Sequence, residues 1–532
     1  MRFAKIGLVV VFCFCSLGAS SLFAQSVGNI VGLVVDASGG AISKTTVKIT
    51  NSEIGVERAA QTNESGTYVV TALLPAEYDV TVETPGFKRT VKHTTVNVGR
   101  DVTVDFALEV GETSQTVNVD AETVAINLTD AKVAGTVTNA DVTNLPLNGR
   151  NAYELAKLVP GVVVKAQSGR NSEISVSISG SLYTRFMIDG ANVTDNVTSS
   201  LSSYNLSQEV VQEFQVNTNN GDPSNGVGQA GTINIITRSG GNDFHGTGWS
   251  FFRNNQYAAF PGLARPTPRP NPTNDPTIAA FNESQAHPPF HRYQYGAMLN
   301  GPILRRKRLY WLASFENSPT QVVTAFKAGP PFDAMSELIA SPHNRLDENY
   351  RVDWTATDKN SFFWRISWDR MDGTFIPTGA ASTANILDDR ATAYLMGWTS
   401  VLSNSLVADV RVGFDRLEYN EYVHPAAVSY AEQFAPALLN QTVPYGFTTS
   451  PWMGFVSVIG TNLSFGNPAT GHSDEGIPRS QLIANLTWTK GSHTFKFGAD
   501  IERAPWYLKW ITEQPFLKSV TSSCIPRGSR NL

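Results

Sequence analysis

Three groups of residues have types and spacings that could do chemistry. Gly226-Val227-Gly228-Gln229-Ala230-Gly231 fits the G-x-G-x-x-G spacing with which a nucleotide fold brings backbone N–H groups to a pyrophosphate. That chemistry needs a strand before the glycines and a helix after them. Here Asp222-Pro223-Ser224-Asn225 comes first and the β-branched run Thr232 to Thr237 follows, so the segment reads as a turn entering a strand. His472-Ser473-Asp474-Glu475 has the H-x-x-E spacing of a zinc carboxypeptidase, with His493 as a third ligand, but its flanks have the composition of a loop. His287 and His291 have a spacing that would share one helix face, and Pro288-Pro289 between them forbids the helix. The sequence has no G-x-S-x-G, H-E-x-x-H or P-loop, and no carboxylate pair in a glycosidase setting. The expectation is a protein with no catalytic, cofactor-binding or metal-ligating residues, and not an enzyme.

The elements that would position any site are strands. The 532 residues carry 41 Lys and Arg against 46 Asp and Glu, a net charge of −5, and only 16% are charged, against roughly 25% in ordinary soluble domains. Aromatics reach 10%, with 42 Gly and 28 Pro, a composition of strands and turns. Arg305-Arg306-Lys307-Arg308 is too short for a binding tract, so nucleic acid is excluded as a partner. Arg2 and Lys5, the apolar stretch Ile6 to Leu17 and small residues ending at Ala24 form a signal peptide over residues 1–24. Cys13 and Cys15 fall inside it without the small residues of a lipid-attachment site, which leaves Cys524 and no internal disulfide. No later run approaches the roughly 18 apolar residues of a spanning helix, so residence in a membrane would require a β-barrel.

Residues 25–110 alternate like a small antiparallel sandwich: Val31, Leu33 and Val35, then Val47 and Ile49, then Tyr78, Val80 and Val82, then Val102, Val104, Phe106 and Leu108. Ser38-Gly39-Gly40, Asn63 to Gly66 and Pro85-Gly86 supply the turns. Gly32 to Asp36, Gly40, Asn63 to Tyr68, Leu74 to Tyr78 and Pro85-Gly86-Phe87 together resemble a carboxypeptidase-regulatory-like domain, with Ala76 where the family usually has Gly. The resemblance implies no peptidase activity, and sugar contact only by analogy of fold.

Residues 111–240 are polar and mixed, with one expected helix at Arg150 to Leu158. Leu145 to Asn151, Leu158 to Gly161, Ile188 to Ala191, Val211 to Phe214 and Ile233 to Gly240 follow one another in an order that resembles the plug of TonB-dependent outer-membrane receptors of the Oar-like type. The resemblance marks Asn148, Gly149, Arg150, Asp189, Gly190 and Glu213 as plug-motif residues. Between sandwich and plug, Ser114 to Ala121 resembles a TonB box. Its central residues Gln115, Thr116, Val117, Asn118 and Val119 are expected to be mobile at rest and to pair with a TonB-type energising partner as an added strand.

From residue 241 to 532 the strands lengthen and their faces separate. Tyr350, Val352, Trp354 and Ala356 alternate with Arg351, Asp353, Thr355 and Thr357; Phe362, Trp364, Ile366 and Trp368 alternate with Phe363, Arg365, Ser367 and Asp369. The same holds for Leu406 to Phe414 against Asp409, Arg411, Gly413 and Asp415, and for Phe495 to Ile501 against Lys496 to Glu502. Strands of about ten residues, apolar outside and polar inside, mark a transmembrane barrel. Residues 261–276 and 423–480 read as long extracellular loops. His291 to Gly296, Asn300 to Ile303, Tyr310 to Glu316 and Gly491 to Gly498 resemble the first strands of an Oar-like barrel.

The expected fold class is mainly β: an N-terminal β-sandwich, an α+β plug, and a partial antiparallel transmembrane β-barrel. About ten strands are expected, against roughly 22 for transporters with a plugged lumen, so a truncated chain is expected. The resemblance implies energised uptake of a large or scarce ligand across the outer membrane, carbohydrate and metal chelate being candidate classes, with membrane lipid as a further partner. A surface adhesin or envelope-organising protein and a secreted carbohydrate-binding module are the alternatives.

Overall fold

The computed structural model describes residues 28–52, 56–73, 75–97, 101–111, 116–120, 133–145, 147, 150–166, 174–178, 184–195, 204–219, 231–257, 268, 270–304, 308–326, 337–375, 384–403, 405–424, 456–457, 464–465, 472–490, 493–505 and 507–511. The signal segment 1–24, Gln115, Asn148, Gly149, residues 226–230 of the glycine motif and Cys524 lie outside the described residues.

The first unit is a two-sheet sandwich. Strands β1 (Gly28–Asp36), β4 (Thr67–Leu73), β7 (Asp101–Thr103) and β8 (Phe106–Leu108) make one sheet; β2 (Thr46–Asn51), β3 (Glu57–Gln61), β5 (Ala76–Glu83), β6 (Arg89–Val96) and β9 (Thr116–Asp120) make the other, in the order β3-β2-β5-β6-β9. The alternating rows close on a core of Ile30, Val34, Val47, Val80, Val82, Val96, Phe106 and Leu108, all at 0% exposure. Gly32 is required here: a Cβ on it would stand 1.9 Å from the Val104 carbonyl oxygen and 2.7 Å from the Tyr68 ring. That close approach lets the Tyr68 hydroxyl donate to Val104 O at 2.7 Å, and burial pushes the phenol pKa up.

The second unit has a five-stranded sheet, β10-β15-β16-β13-β14, built from β10 (Val133–Val137), β13 (Thr184–Ile188), β14 (Ala191–Asn192), β15 (Val211–Asn219) and β16 (Gly231–Thr237), flanked by the hairpin β11 (Val162–Ala166) and β12 (Ile174–Ile178). The helix α1 (Asn139–Asn144) starts from a capping box between Thr138 and Asp141. The helix expected at Arg150 to Leu158 is instead a 3-10 segment over Ala152–Leu158, started by the Asn151 side chain, which accepts from Tyr153 N at 3.0 Å. It stops at Val159, held extended because the next residue is Pro160.

Among the described residues the third unit is a 12-stranded antiparallel sheet, where about ten strands were expected. Its members are β17 (His245–Asn254), β18 (Phe290–Leu304), β19 (Leu309–Asn317), β20 (Thr320–Phe326), β21 (Glu337–Ala340), β22 (His343–Thr357), β23 (Asn360–Phe375), β24 (Asn385–Ser403) and β25 (Leu406–Val423). After the two-residue pair β26 (Val456–Ser457) and β27 (Ser464–Phe465), the sheet resumes with β28 (His472–Lys490), β29 (His493–Arg503) and β30 (Tyr507–Ile511). Three of the twelve, β20, β21 and β30, are short, with 7, 4 and 5 residues. The loop expected through Ser480 also ends early, because β28 is already paired to β25 at Ser473. The helix α2 (Pro276–Ala286) sits in the first long connection, its N-terminus capped by Asp275.

Alternation along these strands sorts the rows as the sequence implied. Trp354, Trp364, Trp368 and Phe414 lie outward at 37–42% exposure, whereas Arg351, Arg365, Ser367, Asp369, Arg411 and Asp415 lie inward and are at most 7% exposed. The second unit fills the concave side: Ala391, Ala393 and Leu417 of the wall join its core with Phe186, Ile188, Phe214 and Ile235.

Candidate functional site: the polar seam between plug and wall

The strand pair β13–β14 is closed by the two residues Asp189 and Gly190, with Ile188 facing Ala191. Both turn residues have positive φ, 47° and 78°. An Asp-Gly pair accepts that backbone at little cost, which is why it forms the tight mirror-image turns of hairpins. The turn pushes Asp189 beyond the plug sheet and into the wall, where it is 4% exposed.

A buried carboxylate is stable only if it is paired and hydrogen-bonded. Asp189 accepts from Thr237 N at 2.9 Å and Thr237 Oγ1 at 2.8 Å within the plug, and from the wall it accepts Arg365 Nη1 at 2.9 Å, with Arg351 Nη1 at 3.4 Å. Its own carbonyl accepts from Arg411 Nη1 at 2.7 Å. Arginines from β22, β23 and β25 thus converge on one plug turn. Arg351 is held in place by Asp353, 2.8–3.0 Å away, and by the Phe363 ring, whose centroid lies 4.9 Å from the guanidinium carbon. Phe363 in turn lies over Gly397, its cross-strand partner, where a Cβ would meet the ring at 2.0 Å.

Two further contact groups flank this one. Arg150, at φ 56°, pairs with Glu209 at 2.7 Å and stacks on Phe251 of β17 at 4.4 Å. Beside it, Glu316 of β19 accepts from plug Ser207 Oγ at 3.1 Å and from Trp249 Nε1 at 2.8 Å. On the other side Arg185 pairs with Asp500 at 2.8 Å, Asn192 N donates to Gln481 at 2.8 Å, and Asn192 Nδ2 donates to Glu502 at 2.9 Å. Arg479 of β28 donates to the Thr194 carbonyl. Such a seam is directional, so it fixes the plug in one register beside the apolar core that Ala391, Ala393 and Leu417 share with it.

Of the residues marked in the sequence, Arg150, Asp189 and Gly190 take part in this seam, while Glu213 is buried in β15 opposite Ile236. The wall arginines Arg351, Arg365 and Arg411 were legible as an inward polar row but not as partners of Asp189, since they lie 162, 176 and 222 positions away in the chain. The Asp-Gly pair between apolar runs was the available signal for the turn. Thr116 to Val119 belong to β9, which pairs parallel to β6 of the sandwich.

Residues 236–337 and 334–515 match the model of the outer membrane beta barrel domain, and residues 29–109 match the carboxypeptidase regulatory-like domain. The chain is 30% identical over 333 residues to the TonB-dependent transporter Oar of Myxococcus xanthus, a match covering 57% of this chain and 28% of that protein. In fold it is similar to the outer membrane transporter YddB from Escherichia coli, with a TM-score of 0.50 at 12% identity over 69% of this chain and 48% of that one. The chain therefore spans under a third of the curated relative and about half of the solved transporter.

Proposed function

Since the chain belongs to the outer membrane beta barrel domain family and lies in the outer membrane, we propose that it serves as a TonB-dependent receptor whose plug gates ligand passage. One observation carries the reading: a folded plug sheet occupies the concave side of the wall and is tied to it through the buried Asp189 turn. A plug fixed by polar contacts resists thermal loss but yields to directed force, because each hydrogen bond broken can be replaced by one to water. Force enters through residues 116–119, upstream of β10, by strand addition with a periplasmic TonB domain. The transported ligand is a solute excluded from open pores, and both carbohydrates and metal chelates meet that description.

The test is binding of the purified chain to the periplasmic domain of a TonB protein, followed by fluorescence anisotropy. Val117→Pro removes a backbone donor and restrains φ, so binding should fall by at least about tenfold with the barrel still folded. An unaltered chain that binds no TonB domain under any condition would refute the reading and leave the adhesin alternative.

A further inference from the structure

The proposed coupling segment is not loose. Glu109 to Gly111 runs antiparallel past Gly86 to Lys88: Lys88 N donates to Glu109 O at 2.9 Å, Lys88 Nζ meets the Glu109 carboxylate at 3.0 Å, Phe87 bridges Val110, and Gly111 N donates to Gly86 O at 3.1 Å. Beyond it, Thr116 to Asp120 runs parallel along Arg89 to His93 in unbroken register. Both sides of the segment's approach are therefore clamped to one edge of the sandwich.

The pairing meets a need of the sandwich itself. Without β9, strand β6 would be the sheet's last strand on that side, with a row of unpaired N–H and C=O groups, a liability that folded proteins cover. The register also matters. Val117 and Val119 stand opposite Thr90 and Lys92, the row of β6 whose Thr90 is buried and whose Lys92 lies over the Phe106 ring. Pairing with β6 takes up one backbone edge of the segment, and a partner that adds as a strand needs such an edge.

We propose that the sandwich is a resting dock for the coupling segment, and that β6 and the energising partner compete for it. This rests on the coupling role proposed above for residues 116–119. When the segment is docked, the partner sees only the undocked fraction, and its apparent affinity is reduced by that fraction. The sandwich is then a threshold device: it keeps the plug from being pulled until the segment is released.

The experiment uses the full chain with Cys13, Cys15 and Cys524 each replaced by Ser and the pair His93→Cys and Asp120→Cys, which are register partners. A second pair, Arg89→Cys with Thr116→Cys, guards against an effect of losing the contact between His93 and Asp79. Neighbouring strands bring register partners within disulfide reach. Oxidation should cross-link most of the chain. The oxidised form should bind a TonB periplasmic domain about tenfold more weakly than the same sample after reduction, and saturating TonB domain added beforehand should suppress cross-linking by a similar factor. No cross-link with either pair, alongside normal TonB binding, would overturn the dock and leave the coupling role intact. A cross-linked chain that binds TonB as well as the reduced one would overturn the competition. Efficient cross-linking in a chain that never binds TonB would instead overturn the coupling role, and with it the competition.

Discussion

Arg365 Nη1 and Asp189 Oδ2 meet at 2.9 Å, one on the barrel wall and one at the tip of a plug turn. Both side chains are nearly sealed from solvent, at 2% and 6% exposure, so the pair is costly to break from one side only.

Replacing Asp189 with Ala removes the common partner of Arg351 and Arg365 and leaves both facing a seam built for a carboxylate. The expected loss is about 3–5 kcal/mol of plug seating. Urea titration of the purified chain, followed by protease sensitivity of the plug, should show release at lower denaturant while the wall stays folded. Equal resistance in variant and parent would mean that the flanking contacts carry the seam.

Gly397 is predicted to be intolerant of any side chain. A Cβ there would overlap Phe363, and displacing that ring removes the surface on which Arg351 rests. Gly397→Ala should cost about 1–3 kcal/mol and loosen the plug in the same protease assay. Pairing it with Asp189→Ala should give less than the sum of the two losses, because both act through Arg351.

Trp364 lies on the outward row at 37% exposure, beside Phe362 at a ring-centroid distance of 6.1 Å. Arg at this site should cost about 2–4 kcal/mol near the bilayer midplane and less toward the interfaces. Folding into lipid vesicles, read by tryptophan fluorescence, measures it. Unchanged insertion would mean that the row does not face lipid.

Asp36 closes the first turn of the sandwich by accepting from Ser38 Oγ at 2.6 Å, Ser38 N at 2.8 Å and Gly40 N at 2.9 Å. The Ser38 hydroxyl, then the backbone N–H groups, hold its carboxyl pKa below the ordinary value. A lowered folded pKa stabilises the turn above the unfolded value and is lost as pH falls through the folded one. Amide exchange at Gly40 should therefore be slow at neutral pH, faster in Asp36→Asn, and equal in the two once pH is well below about 3.9.

Much of this architecture is legible in the sequence for a physical reason: a strand's two faces alternate residue by residue, so burial is written directly into local sequence. The outward aromatics, the inward arginines and the sandwich rows all follow from that period. The plug turn was also local, since Asp189-Gly190 can close a hairpin with both residues at positive φ. A local reading erred where a neighbour distant in the chain decided the outcome: pairing with β25 drew His472 to Ser480 out of a loop and into β28. What only the tertiary structure decided was which groups meet. Charge type alone does not say that Asp189 takes Arg365 and Arg351, because the choice depends on how the plug is seated against three different wall strands. The pairing of residues 116–119 is of the same kind: their β propensity is local, but the edge of β6 beside them is assembled from distant strands.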